Sequence, residues 1–272
     1  MFQPKLGVSL HTVGKAPTEA LLQALAESRV STLELFPTLF EGEDAANAKA
    51  ALQAVLRRHE IRVATIHAPF GGHYDPSLLE EGARREAVAA LAPAFALAAE
   101  FDAPMVVLHA SAEPITPEER PRRLAQARAS LAEIGRWCQE SGRRVAVELL
   151  PRSCLGNTVD ELLALLEGLP EETFGVCLDT NHGMAQYARL ADDIRRLGPR
   201  LITTHLSDYD GVDEKHWLPG RGVVDWRAVM AALQEIGYTG PMNYESLLDG
   251  EAPSERLRSL ESNFAWLCSL LP

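Results

Sequence analysis

Eight residues able to ligate a metal or move a proton stand just behind short apolar runs: His11, Glu34, His67, His109, Glu148, Asp179, His205 and Glu245. A carboxylate that follows a run such as Val145-Ala146-Val147 or Met242-Asn243-Tyr244 must be paired, metal-bound or exposed, because burying it alone is costly. His182 lies three positions after Asp179, which makes a shared metal site the better reading of Asp179 than a helix cap alone. His216 is a further imidazole within reach of such a site, while His59 and His73 read as solvated. Carboxylates and imidazoles without thiolates suit Mn²⁺, Zn²⁺, Co²⁺ or Mg²⁺ and disfavour iron–sulfur clusters and copper(I). Bland duties compete at each position: Glu34 suits a structural ion pair as well as a substrate hydroxyl, and a lone His205 would be a satisfied core histidine. The four cysteines are scattered without CxxC spacing, so they read as reduced thiols and not as a zinc site or disulfide framework.

What positions these groups is an alternation of short β-branched runs with longer amphipathic segments. Strands are expected at Lys5–Leu10, Thr32–Phe36, Arg62–Ile66, Met105–Leu108, Arg144–Glu148, Phe174–Leu178, Leu201–His205 and Met242–Glu245, with no clear ninth. Helices are expected at Thr18–Ser28, Asp44–Glu60, Leu78–Phe101, Pro117–Ser141, Val159–Gly168, Gln186–Leu197, Asp225–Gly237 and Ser254–Leu271. Thr18, Thr158 and the Pro253-Ser254 pair mark helix starts, and Gly142, Gly198 and Gly237 mark ends. Eight such units without a linker predict one α/β domain over residues 1–272, a (β/α)8 barrel whose chemistry gathers at the carboxyl ends of the strands. An open doubly wound sheet has less support, since neither GxGxxG nor GxxxxGK[ST] occurs. The composition, 46% hydrophobic and 24% charged, excludes collagen-like and disordered chains. No apolar run is long enough to span a bilayer and no signal-peptide pattern opens the chain, so the expectation is a cytoplasmic protein with no membrane partner. A balance of 26 basic against 38 acidic residues, net −12, counts against nucleic acid as a partner. The arginine pairs, Arg84-Arg85 among them, read as solvated helix faces.

The order of several segments resembles the xylose isomerase-like TIM barrels, a superfamily holding sugar isomerases and epimerases and also endonuclease IV. The segments are Ile66-His67-Ala68-Pro69, Leu108-His109, Val147-Glu148, Leu178-Asp179-Thr180-Asn181-His182, Thr204-His205-Leu206-Ser207-Asp208, His216 through Trp226, and Gly240-Pro241 through Glu245. For the epimerase branch the resemblance implies that Glu148, Asp179, His205 and Glu245 hold one divalent ion. Glu148 and Glu245 would then be the acid/base pair, moving a proton through a metal-stabilised enediolate of a sugar, sugar phosphate or polyol. His182, His216, His11, Glu34, His67, His109 and Arg221 are the candidate substrate contacts. For the endonuclease IV branch it implies up to three Zn²⁺: His67, His109 and Glu148 for one, Glu148, Asp179, His205 and Glu245 for the second, and His182, His216 and Glu214 for the third, serving hydrolysis at abasic-site DNA. The acidic stretch Glu41-Gly42-Glu43-Asp44 after the second strand favours the small-molecule reading, because a DNA groove needs positive charge there. Trp217 is a candidate cavity wall. Phe264 and Trp266 on the last helix either seal the barrel or make a homo-oligomer contact.

Overall fold

The computed structural model describes residues 2–271. Eight strands form one parallel sheet: β1 (Lys5–Ser9), β2 (Thr32–Leu35), β3 (Arg62–His67), β4 (Met105–Leu108), β5 (Arg144–Glu148), β6 (Phe174–Asp179), β7 (Leu201–His205) and, last in the chain, β10 (Pro241–Tyr244). Two short strands, β8 (Asp208–Tyr209) and β9 (Glu214–Trp217), pair antiparallel outside it. Each barrel strand hydrogen-bonds to the next, and β10 pairs with β1. Leu206 closes the circle: its N–H donates to Asn243 O at 2.7 Å, and its carbonyl accepts from Glu245 N at 3.2 Å. The expected (β/α)8 barrel is the architecture found.

The helices between the strands are α1 (Leu10–Val13), α2 (Glu19–Glu27), α3 (Ala45–His59), α4 (Glu81–Ala90), α5 (Ala92–Glu100), α6 (Arg120–Ser141), α7 (Val159–Leu166), α8 (Leu190–Leu197), α9 (Trp226–Glu235) and α10 (Pro253–Ser269). Thr18, Thr158 and Asp225 cap α2, α7 and α9 by accepting from the N–H three residues on. Gly142, at φ 67°, ends α6 in the left-handed conformation that glycine adopts without strain. Where one helix is expected over 78–101 there are two, because Pro93 cannot donate and its ring crowds the preceding turn. The expected start at residue 186 is a 3₁₀ turn, Met184–Arg189, before α8. Arg84 does not lie on a solvated face. Its side chain is 2% exposed and donates to Glu81, Ser130 and Glu133. No described helix is long and apolar enough to cross a membrane.

Alternation along the strands sorts the side chains into two sets. Val106, Leu108, Val145, Val147, Val176 and Leu178 join the large cluster that packs sheet against helices. Val107, Ala146 and Cys177 belong to a separate cluster with Met105 and Ile202, on the opposite face of the same strands. Two residues beyond Val107, Ala146 and Cys177 come His109, Glu148 and Asp179, so the strand period carries these groups to one end of the barrel interior. The interior is tight: a Cβ on Gly7 would stand 2.6 Å from Thr32 Oγ1.

Candidate metal centre

Three overlapping groups of side chains converge at the carboxyl ends of the strands. His67, His109 and Glu148 form one; Glu148, Asp179, His205 and Glu245 the second; His182, Glu214 and His216 the third. Within each group one ligand-capable atom per residue lies within 4.8 Å of all the others. Glu148 is the hinge of the arrangement. Its Oε2 lies 3.1 Å from His67 Nε2 and 3.0 Å from His109 Nε2, and its Oε1 lies 3.2 Å from His205 Nδ1. Glu245 Oε2 reaches the same His205 nitrogen at 3.0 Å. His182 Nε2 meets Glu214 Oε2 at 3.2 Å.

Outer hydrogen bonds fix which nitrogen of each ring faces the centre. His67 Nδ1–H donates to Ala68 O at 2.7 Å, and His182 Nδ1–H donates to Leu149 O at 2.9 Å, which leaves both Nε2 atoms pointing inward. His205 is held the other way round, its Nε2–H donating to Glu34 Oε2 at 3.0 Å. Glu34 is fully buried and also accepts from Thr65 Oγ1 and Asn243 Nδ2. Asp179 Oδ1 accepts from the backbone N–H groups of Asn181 and His182, which closes a turn and not a helix start, since the next helical segment begins at Met184 behind Gly183; its Oδ2 is buried and has no hydrogen-bond partner.

The electrostatics follow from burial of many like groups. Burial pushes Glu148 up, but His205, His109 and His182 around it hold it well below the usual carboxylate range. Burial raises Asp179, with the surrounding histidines only partly offsetting it. His205 and His182 are lifted well above the ordinary imidazole value: burial opposes their charge, and the carboxylates around them overcome it. Glu214 is lowered to about 2 by His182 and then, against partial burial, by Arg152. An unpartnered, fully buried Asp179 Oδ2 facing imidazoles and carboxylates is the environment a divalent cation satisfies, so the residues present fit such an ion.

Above the centre opens a cavity of about 920 Å³, lined among others by His11, His67, His109, Glu148, His182, Glu214, His216 and Glu245. Three expected contacts lie elsewhere. Glu34 does not line the cavity and lies beyond it, behind His205. Arg221 pairs with Asp249 Oδ1 at 2.9 Å in an exposed position, and Trp217 is likewise absent from the cavity wall. The structure adds residues that the sequence reading passed over. Arg152, in the left-handed region at φ 50°, holds Glu214 at 2.6 Å and Asp213 at 3.0 Å. Phe70, 54% exposed, stacks on His109 with ring centroids 4.5 Å apart. Arg152 gave no signal because it stands alone in a loop, outside both the arginine pairs and the strand ends.

Residues 22–270 match the family described as the xylose isomerase-like TIM barrel. The chain belongs to that family. Over 194 residues it is 27% identical to the uncharacterized protein MJ1311 of Methanocaldococcus jannaschii, covering 70% of this chain and 66% of that protein. Over 118 residues it is 28% identical to a D-psicose 3-epimerase of Enterocloster bolteae, covering 43% of this chain and 38% of the epimerase. The matched stretch thus spans less than two thirds of the length of either curated relative. Among solved structures, D-psicose 3-epimerase with D-tagatose from Clostridium cellulolyticum H10 superposes with a TM-score of 0.80 at 18% identity, over 98% of this chain and 99% of that one. At that identity the likeness shows the barrel shared across this family.

Proposed function

We propose that the protein is a divalent-metal-dependent isomerase or epimerase of a sugar or polyol. The observation that carries this reading is the pairing of Glu148 and Glu245 on one imidazole nitrogen of His205, beside the orphaned Oδ2 of Asp179, on the floor of the cavity. Glu148, Asp179, His205 and Glu245 would hold the ion. When bound, a divalent cation polarises a substrate carbonyl and its neighbouring hydroxyl, which acidifies the adjacent C–H. One of Glu148 and Glu245 takes that proton as general base. If the other returns a proton to the opposite face, the outcome is epimerisation; delivery to the adjacent carbon gives aldose–ketose isomerisation. His11, whose Nε2 lies 3.7 Å from Glu245 Oε1, and His216, both on the cavity wall, contact substrate oxygens. The relatedness to a D-psicose 3-epimerase supports a ketose as the first substrate to try.

The test is solvent exchange. With metal-loaded protein and a panel of ketoses in D₂O, NMR should show deuterium entering a carbon next to the carbonyl. Glu148→Gln and Glu245→Gln should lower that rate by roughly 10²–10⁴-fold, the range general acid–base groups contribute, with the folded circular dichroism spectrum unchanged. Full activity in either variant would overturn the assigned roles.

A second reading rests on a separate observation. All three ligand groups are assembled, with Glu214 completing the third, and that set suits an endonuclease IV-like trinuclear zinc phosphodiesterase. Metal content per chain separates the two. About one Mn, Co or Mg favours the sugar reaction, whereas about three Zn together with nicking of abasic-site DNA favours the hydrolase.

A further inference from the structure

We propose that the substrate of this site carries an anionic group, a phosphate ester or a carboxylate, and that Lys15 and Arg256 receive it; this rests on the isomerase/epimerase reading and names its substrate class. Four cationic side chains line the cavity: Lys15, Arg152, Lys215 and Arg256. Arg152 is committed to Glu113, Asp213 and Glu214, and Lys215 Nζ lies 3.9 Å from Asp210. Lys15 and Arg256 have no carboxylate within 4.0 Å among the described residues. Of the four, these two are therefore the ones whose charge is left for a bound group.

Arg256 is also held in position. It sits in the first turn of α10, with its Nε donating to Gly250 O at 3.1 Å and its Nη1 to Val13 O at 3.0 Å, while its Nη2 makes no hydrogen bond to the described protein. Lys15 follows Val13, whose carbonyl anchors the guanidinium, by two residues, and both cations line the same cavity. A neutral sugar offers these groups only weak hydroxyl contacts, whereas an anionic oxygen makes charge-assisted hydrogen bonds to both. An anion received by the charge pair leaves the neutral, reacting end of the substrate free to reach Glu148 and Glu245.

The experiment uses the metal-loaded full chain and three probes: D-fructose, D-fructose 6-phosphate and D-fructuronate. Deuterium exchange beside the carbonyl gives kcat/KM for each, and isothermal titration gives binding independently of turnover. One anionic probe should exceed D-fructose by at least about tenfold in kcat/KM, and which one it is distinguishes phosphate from carboxylate. In Arg256→Gln and in Lys15→Gln that ratio should collapse toward one, chiefly through KM; Lys15 makes no hydrogen bond that its loss would unsettle, so it guards against a folding artefact. Equal use of neutral and anionic probes, or a ratio that both variants leave intact, overturns the anion site while the epimerase reading stands. If no probe exchanges, binding of an anionic probe that the variants abolish upholds the anion site, and the epimerase reading is decided by the ketose panel. Absence of any such binding overturns the anion site.

Discussion

Glu34 shows how much one carboxylate changes meaning between sequence and structure. As a strand-end residue it reads as a hydroxyl-binding group, but β2 ends at Leu35 and leaves Glu34 wholly buried, with its Oε2 on His205 Nε2–H and Thr65 Oγ1–H. In the proposed metal site that contact would leave His205 Nδ1 as the nitrogen free for a cation. Carboxylate partners of ligating histidines typically account for 10–100-fold in metal affinity. Glu34→Gln should therefore weaken divalent-ion binding by about that factor, measured by competition with a chromophoric chelator. Thr65→Val, which removes only a hydrogen bond to Glu34, should cost less; equal affinity in all three proteins would show that Glu34 does not position His205. Asp179 illustrates the complementary case: its Oδ1 closes a turn on the N–H groups of Asn181 and His182, and its Oδ2 is left buried without a hydrogen-bond partner.

At the scale of elements, the eight barrel strands were legible because parallel strands buried on both faces are near-continuous apolar runs. Their ends shifted by a residue where chemistry begins: β3 and β6 extend to His67 and Asp179, whereas β1 gives way to α1 at Leu10. The excursion of β8 and β9 was not legible, since its strands are two and four residues long and β9 is half exposed without an apolar alternation. What holds it is Asp208, fully buried, whose Oδ1 accepts from Tyr209 N and Val224 N and whose Oδ2 accepts from Gly220 N and Trp226 Nε1. Gly222 packs so closely here that a Cβ would meet Tyr209 O at 2.0 Å. Asp208→Ala leaves several buried donors without an acceptor and should cost about 3 kcal/mol, read from denaturant unfolding. The same excursion carries Glu214 and His216, so on the three-zinc reading that variant should also lower metal per chain, whereas on the single-ion reading metal content stays unchanged. Unchanged stability in the variant would mean that the hairpin is braced by other contacts.

For the whole molecule, the decisive quantity is how much of its stability depends on a cation. Glu34, Glu148, Asp179 and Glu245 are held together at the end of the barrel with only histidines to balance them. A metal that binds the folded chain alone, at about 1,000 times its Kd, adds about 4 kcal/mol. At about 2–4 °C per kcal/mol for a chain of this size, stripping with a chelator should lower Tm by roughly 8–16 °C. The effect should also depend on pH with a definite sign. In the metal-free fold, His67, His182 and His205 lie above their ordinary value: burial opposes their protonation, but Glu148 raises His67, Asp179 and Glu148 raise His182, and Glu34, Glu245 and Glu148 raise His205. The stability they contribute is complete below the unfolded imidazole value near 6.5 and is lost as pH rises through their raised values. His11 and His109, lowered chiefly by burial, act the other way below that value. A bound cation replaces the protons of the raised group, so it stabilises most where those protons are otherwise gone. The Tm difference between loaded and stripped protein should thus be larger at pH 8 than at pH 6; a difference that shrinks with rising pH would show that these histidines do not share their inward-facing nitrogens between protons and metal.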